Sequence, residues 1–292
     1  MDHFEFVVNW RGIKMLTVTS DGLAEQVSFC KKTGFGNLSI SQAGEFYEDN
    51  LEFLRNLEAK HILLMLDGIT NIGALNTQVA LESLDIPFGS AQELLDFSNW
   101  PKLNFFRGYW NENLKNLFAT TRLTYLHLWK LKTTSRNLTE LQQLEKLETL
   151  GITQSNLVAL EGLAAFAQLK ELNLAYNATL VHLANSPGDF KHLKKLEIES
   201  CNKLETYEIR LFKGLNELQL FNCGKVPSLA AIISELPDLR LLDFTKTEID
   251  DTNFNFLLEH PSLEEVSFDD KRKYPLKCYD VNVQLAARKK KK

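Results

Sequence analysis

Seven times between Leu123 and Phe268 the chain writes the same six-residue phrase, apolar-x-x-apolar-x-apolar. The instances are Leu123-x-x-Leu126-x-Leu128, Leu147-x-x-Leu150-x-Ile152, Leu169-x-x-Leu172-x-Leu174 and Leu193-x-x-Leu196-x-Ile198, then Leu215-x-x-Leu218-x-Leu220, Leu239-x-x-Leu242-x-Phe244 and Leu263-x-x-Val266-x-Phe268. Successive starts lie 24, 22, 24, 22, 24 and 24 residues apart. Side chains two apart in a strand share a face, so positions four and six point the same way and position one enters from the preceding turn. A strand this short cannot bury its apolar face alone. At a near-constant period it can do so by stacking on copies of itself, which yields a parallel sheet advancing about 4.8 Å per coil.

The pattern loosens upstream. Trp100-x-x-Leu103-x-Phe105 fits at an offset of 23, and Leu81-x-x-Leu84-x-Ile86, His61-x-x-Leu64-x-Leu66 and Phe35-x-x-Leu38-x-Ile40 follow at 19, 20 and 26. Eleven coils are expected in all. The ninth position is Asn177, Cys201 and Cys223 in three coils, with Leu180, Leu204 and Val226 at the twelfth. With these residues the chain resembles the leucine-rich-repeat family, whose unit is L-x-x-L-x-L-x-x-N/C-x-L over 20–29 residues. Leu131, Ser155 and Thr247 depart from it at the ninth position. The resemblance implies an α/β solenoid, or horseshoe: a parallel sheet on the concave face, with short helices and loops on the convex face.

Solenoid ends need covers. Residues 4–19 alternate apolar and polar on either side of Asn9-Trp10-Arg11-Gly12, which predicts a β-hairpin, and residues 44–58 carry Phe46, Leu51, Leu54 and Leu57 as a helical stripe. Residues 1–60 therefore read as an N-terminal cap of hairpin, first strand and helix. The solenoid occupies 61–268, a C-terminal cap 269–287 (with Tyr274–Leu285 over the end), and a disordered basic tail 288–292. Short return helices are expected at Leu138–Leu147, Ser228–Leu236, Asp251–Glu259 and after the capping-box spacing Ser90-x-x-Glu93, and an irregular loop at Asn185–Asp189.

The register lists the concave face. Positions three, five and seven point away from the core, and in this family they form the usual binding surface. By that count Phe106, Tyr125, His127 and Trp129 cluster on adjacent coils, edged by Arg107, Tyr109, Trp110 and Lys130. Further along lie Glu171, Glu197, Glu199, Glu217 and Asp243, with Phe221 among them. Exposed aromatics on a rigid sheet suit protein anchoring because they bury much area at small rotamer cost. Carboxylates gathered on neighbouring coils suit a basic partner.

Catalytic signatures are lacking: no phosphate-binding Gly-rich loop, no G-x-S-x-G, no C-x-x-C and no H-E-x-x-H occur. Cys201 and Cys223 are accounted for by the ninth motif position, and His182 and His192 fall in a return segment without an evident partner. No enzyme activity, cofactor or metal is expected. The net charge of −5 divides unevenly: Arg288–Lys292 supply five of the 33 basic residues, leaving 28 against 38 acidic ones, or −10. An acidic body suits neither nucleic acid nor a membrane surface, and the start Met1-Asp2-His3-Phe4-Glu5 lacks a secretory pattern. The expectation is a cytoplasmic, non-enzymatic protein-binding scaffold for a basic protein partner, with no small-molecule substrate. A more specific form is an immunity protein that neutralises a bacterial toxin. The alternatives are glycan or small-ligand recognition by the aromatic patch, and nucleic-acid binding through the tail.

Overall fold

In the computed structural model, residues 4–67, 69, 71–87, 93–183 and 190–290 are described. The irregular loop expected at Asn185–Asp189 and Ser90 of the capping-box spacing lie outside them. The chain divides into two compact units, Met1–Lys130 and Leu131–Lys292.

The first unit opens with the hairpin, β1 (Phe6–Val8) antiparallel to β2 (Lys14–Val18). Its turn is closed by the Asn9 side chain, whose Oδ1 accepts from the backbone N–H groups of Arg11 and Ile13, both at 3.0 Å. Gly12 provides the left-handed residue, at φ 77°. From β2 onward the strands are parallel: β3 (Asn37–Ser41), β4 (His61–Met65), β5 (Ser83–Ile86), β6 (Phe105–Tyr109) and β7 (Tyr125–Trp129), in sequential order. The second hairpin strand is thus itself the first parallel strand. A helix that the apolar spacing does not announce, α1 (Leu23–Thr33), connects β2 to β3 and ends at left-handed Gly34, whose N–H donates to the Cys30 carbonyl.

The helix expected over residues 44–58 is instead a 3-10 turn at Glu52–Asn56. Phe46, Leu51 and Leu54 are fully buried as the spacing implies. However, Asn50 Oδ1 accepts from the N–H of Glu52, and the Leu51 N–H donates to the Asn71 carbonyl in the next coil. Backbone groups spent on the neighbouring coil are withdrawn from a helix.

Two upstream registers also differ. Phe106 pairs with Leu126 and Gly108 with Leu128, so this coil reads Leu103-x-x-Phe106-x-Gly108, three residues later than the Trp100 phrase. A glycine holds the sixth, inward position because the Phe106 ring already fills it: a Cβ on Gly108 would sit 2.9 Å from the ring. Trp100 is buried in the preceding return segment, donating from Nε1 to the Leu75 carbonyl at 3.0 Å. Two coils earlier, Ile62 pairs with Leu84, so Ala59 rather than His61 takes the first position.

The second unit stacks β8 (Thr149–Thr153), β9 (Glu171–Ala175), β10 (Lys195–Glu199), β11 (Glu217–Phe221), β12 (Leu241–Asp243) and β13 (Glu265–Ser267), all parallel and in register. Leucines at positions one, four and six are almost completely buried. Each side chain so buried is worth about 1.5–3 kcal/mol, and only its neighbours make the burial possible. Position nine closes four of these coils onto the one before, whereas Ser155 instead donates its N–H and hydroxyl to Asn177 of the coil after. Asn177 Nδ2 donates to the Ile152 carbonyl (2.9 Å), Cys201 Sγ to Leu174 (3.7 Å), Cys223 Sγ to Ile198 (3.1 Å) and Thr247 Oγ1 to Leu220 (2.6 Å). Thr247 therefore departs from the motif in letter only. Leu131 is wholly buried, an apolar filler at the same place.

Return segments are short: a 3-10 turn at Thr139–Leu141, α2 (Leu229–Ile233) with Ser228 Oγ accepting from the Ala231 N–H, and α3 (Asn255–Glu259). The last helix, α4 (Cys278–Lys289), buries Val281 and Leu285. It runs into the segment expected to be a disordered tail. Arg288 donates to the carbonyls of Leu258, His260 and Leu263, and Lys289 pairs with Glu264 at 2.5 Å. A planar fork of N–H donors thus ties α4 to the end of α3 and to the start of the last strand phrase. No helix among the described residues is long and apolar enough to cross a membrane.

Candidate functional site

The outward positions of the first unit hold a packed aromatic cluster. Tyr125 stacks on Phe105 (centroids 4.3 Å apart), His127 on Trp129 (4.3 Å) and Tyr109 on Trp129 (5.6 Å). Phe106, expected on this face, lies in the core at 1% exposure, and Phe105 replaces it. The correction follows from the register shift. Arg107 and Tyr109 move from the edge of the patch to its middle, opposite His127 and Trp129. Trp110 lies just past the strand, its N–H donating to the Trp129 carbonyl, and Lys130 holds its ammonium 5.4 Å from the Tyr109 ring centre.

Several members of this cluster come from outside the positions that sequence reasoning singled out. Asp85, on β5, is 4% exposed and accepts from Arg107 Nε at 2.7 Å. The hairpin turn reaches over the face: Arg11 Nη1 donates to Ser83 Oγ at 2.8 Å, and its guanidinium lies 4.0 Å from the Phe105 ring centre. Trp10 packs against both Phe105 and Tyr125, 5.8 and 5.9 Å between centroids, yet remains 57% exposed. Asp85 was legible as position five of the Leu81 coil, and Phe105 from the correct register. Trp10 and Arg11 carry no sequence signal for this role, because nothing in a turn motif states where its tip will rest.

Burial first, and the Arg107 charge second, hold the His127 imidazole down to about 4 from its ordinary 6.5. With the folded value below the unfolded one, the unfolded chain takes the proton more readily. The associated stability is full above about pH 6.5 and is lost as pH falls, levelling off below about 4. The loss expected from this group is about 3 kcal/mol. Burial lowers His61 and His260 as well, which adds to the same slope. Unfolding free energies at pH 7.5, 5.5 and 4.5 should decline less steeply for His127→Gln than for the unsubstituted chain, and equal slopes would refute the assignment.

In the second unit the expected acidic residues do share one face. Down the position-three column Glu171 pairs with Lys195 and Lys195 with Glu217; position five runs Asn173, Glu197, Gln219, Asp243; position seven runs Ala175, Glu199, Phe221. The field is not uniform. Lys195 Nζ sits 3.0 Å from Glu217 and 3.8 Å from Glu197; burial works to lower its pKa, but Glu217, Glu197 and Glu171 outweigh this and the net shift is upward. Glu199 accepts from the Tyr176 hydroxyl at 2.6 Å, and Lys246 Nζ lies 4.8 Å from the Phe221 ring centre. On the strand beside Glu197, Asn173 Oδ1 is buried and accepts no hydrogen bond.

At position eight of the coils Gln154, Tyr176, Ser200, Asn222 and Lys246 all take φ between 52° and 58°. This left-handed residue turns the chain sharply out of each strand without a glycine, a conformation sparsely used by other residue types.

Cys201 and Cys223 are buried thiols. Burial pushes both pKa values up, Cys223 to about 12, so neither supplies a thiolate near neutral pH. His182, expected to be unpartnered, lies 3.0 Å from Glu208 and 3.6 Å from Glu205.

No family model matches the sequence, and no curated protein sequence matches it. Solved structures do. An internalin (inlF) from Listeria monocytogenes superposes with a TM-score of 0.53 at 16% identity, over 82% of this chain and 69% of that one. This is the leucine-rich-repeat fold. A leucine-rich-repeat protein from Leptospira interrogans aligns over 85% of this chain and 81% of its own, at 16% identity and a TM-score of 0.43. The leucine-rich-repeat assignment rests on the first of these together with the register described above.

Proposed function

We propose that this leucine-rich-repeat chain is a non-enzymatic protein-binding scaffold, and that its partner lays a basic, donor-rich segment along the face formed by Glu171, Glu197, Glu199, Glu217 and Asp243. The observation that carries this reading is the orphaned Asn173 Oδ1. A buried acceptor left without a donor costs the free protein roughly 1–3 kcal/mol. It lies beside Glu197, and a turn of the Asn173 side chain toward the partner would present it to an incoming Lys or Arg. The same carboxylates would steer a basic partner toward the face.

The aromatic cluster supports a glycan or small-ligand reading less well, because its rings are stacked on one another and crossed by the hairpin turn. In the finer form of the proposal the partner is a basic toxin that the chain neutralises in the cytoplasm. Coexpression with toxic neighbouring reading frames tests that form, and toxicity unchanged by this chain counts against it.

The general reading is tested by capture from native lysate with the protein immobilised. The combined variant Glu197→Gln, Glu199→Gln, Glu217→Gln keeps side-chain shape and removes three charges. It should retain the captured partner at least tenfold less well than the unsubstituted chain. Trp129→Ala, in the aromatic cluster of the first unit, should retain it. Equal capture by the triple variant, or loss only with Trp129→Ala, would overturn the assignment.

A further inference from the structure

A second chemistry lies away from the strand face, in the return segments of the second unit. His182 forms the bridge to Ala159 of the preceding coil, and Glu205 and Glu208 begin the return of the next coil, Glu205 donating its N–H to the Val181 carbonyl. One ligand atom from each of the three, His182 Nδ1 and a carboxylate oxygen of each glutamate, falls within 4.8 Å of the others. The individual separations from His182 Nδ1 are 3.0 Å to Glu208 Oε1 and 3.6 Å to Glu205 Oε2.

These separations have a meaning in coordination geometry. Zinc takes imidazole nitrogen and carboxylate oxygen at about 2.0–2.2 Å, and two ligands of a tetrahedral ion are then about 3.3–3.5 Å apart. The observed 3.0 and 3.6 Å bracket that edge. Ligands must also be held in orientation by a second layer of contacts. Glu208 meets this condition through its other oxygen, Oε2, which accepts from the Leu183 N–H at 2.6 Å.

Carboxylates cap the return segment of the preceding coil elsewhere in the fold. Glu93 accepts from the Ile72 N–H at 2.6 Å, and Asp251 from the Leu229 N–H at 2.7 Å. The cap thus explains one oxygen of Glu208. It does not explain why the His182 imidazole meets the other oxygen, or why the Glu205 carboxylate closes on the same ring nitrogen.

We infer that His182, Glu205 and Glu208 form a site for a divalent transition-metal ion of the zinc type, one nitrogen and two oxygen ligands with a remaining position open to water or to a partner's side chain. The donor set is too small and too nitrogenous for calcium, which takes six to eight oxygens. A bound ion ties the return segments of two successive coils together. It acts in the second unit independently of any partner on the acidic strand face.

The test is zinc itself, titrated against the full chain by calorimetry and by competition with a chelating dye. The unsubstituted protein should bind one zinc ion per chain. His182→Ala and Glu205→Gln should each weaken binding at least tenfold, and His192→Ala should leave it unchanged. Glu205→Gln keeps the fold intact by design, since only its side-chain charge is used, so a folding failure in His182→Ala would leave the proposal open to refutation. Cobalt in place of zinc should show visible d–d bands without the near-ultraviolet charge-transfer band of a thiolate ligand, which separates this site from Cys278. Zinc binding equal in the His182→Ala and unsubstituted proteins, no saturable binding at all, or a thiolate band would each overturn it.

Discussion

Asp85→Ala should destabilise the protein by about 3 kcal/mol, the largest effect expected of any single polar substitution in the first unit. The carboxylate is 4% exposed and receives Arg107 Nε at 2.7 Å, with Trp10 Nε1 at 3.5 Å. Its removal leaves the Arg107 guanidinium, whose side chain is 23% exposed, without its counter-charge beneath the aromatic cluster. Losing one partner of such a pair costs more than the pair contributes, because the remaining charge stays desolvated. Asp85→Asn keeps an acceptor oxygen and should cost less. The two variants are compared by urea denaturation followed by tryptophan fluorescence, since Trp10 and Trp129 both lie within about 6 Å of the Arg107 guanidinium. Asp85→Ala unfolding at the same urea concentration as the unsubstituted chain would show that the pair does not hold this face together.

Asn177→Ala should cost about 2–4 kcal/mol in the second unit, by a different route. Asn177 is wholly buried. Its amide donates to the Ile152 carbonyl at 2.9 Å, and its Oδ1 accepts from both the N–H and the hydroxyl of Ser155, at 2.8 and 2.7 Å. Alanine therefore strands the buried Ile152 carbonyl, at a desolvation penalty of roughly 1–3 kcal/mol, together with the N–H and hydroxyl of half-buried Ser155 at a smaller one. Asn177→Cys should recover part of the loss, because Cys201 and Cys223 reach the corresponding carbonyls of their own preceding coils. It cannot replace the acceptor that serves Ser155. Thermal unfolding resolves the order expected: unsubstituted chain, then Cys, then Ala. Equal destabilisation by Cys and Ala would assign the effect to the lost Ser155 contacts alone.

The regular coils were legible because their information is local and repeated. Leu215, Leu218 and Leu220 declare their own facing, and the same offsets recur one coil later. Where a coil breaks its own pattern, the reading slipped. The Leu103 coil carries a glycine at its sixth inward position and lets the Phe106 ring fill the space, so the apolar spacing pointed to Trp100 instead. That slip placed Phe106 on the outer face and hid Phe105. Helix α1 escaped for a related reason: its buried residues are Gln26 and Cys30, which make no apolar stripe. The charged tail misled in the other direction. A run of basic residues reads as solvated end, but Arg288 donates to three backbone carbonyls, those of Leu258, His260 and Leu263.

The sequence by itself determined the leucine-rich-repeat fold, its period and the inward residues of the second unit, since a strand of period two and a coil of near-constant length leave those side chains one direction to point. It also placed Glu171, Glu197, Glu199, Glu217 and Asp243 together on one face. The tertiary structure alone decided that the hairpin turn lies on the aromatic cluster, that Asp85 pairs with Arg107, and that His182 meets two glutamates of the next coil. Each of these joins residues 22 or more apart in the chain, and Arg11 meets Ser83 across 72. Repeat periodicity specifies which face a side chain occupies. Which side chain it meets there depends on the lateral fit of neighbouring coils and on where the ends of the chain come to rest, and no local pattern encodes either.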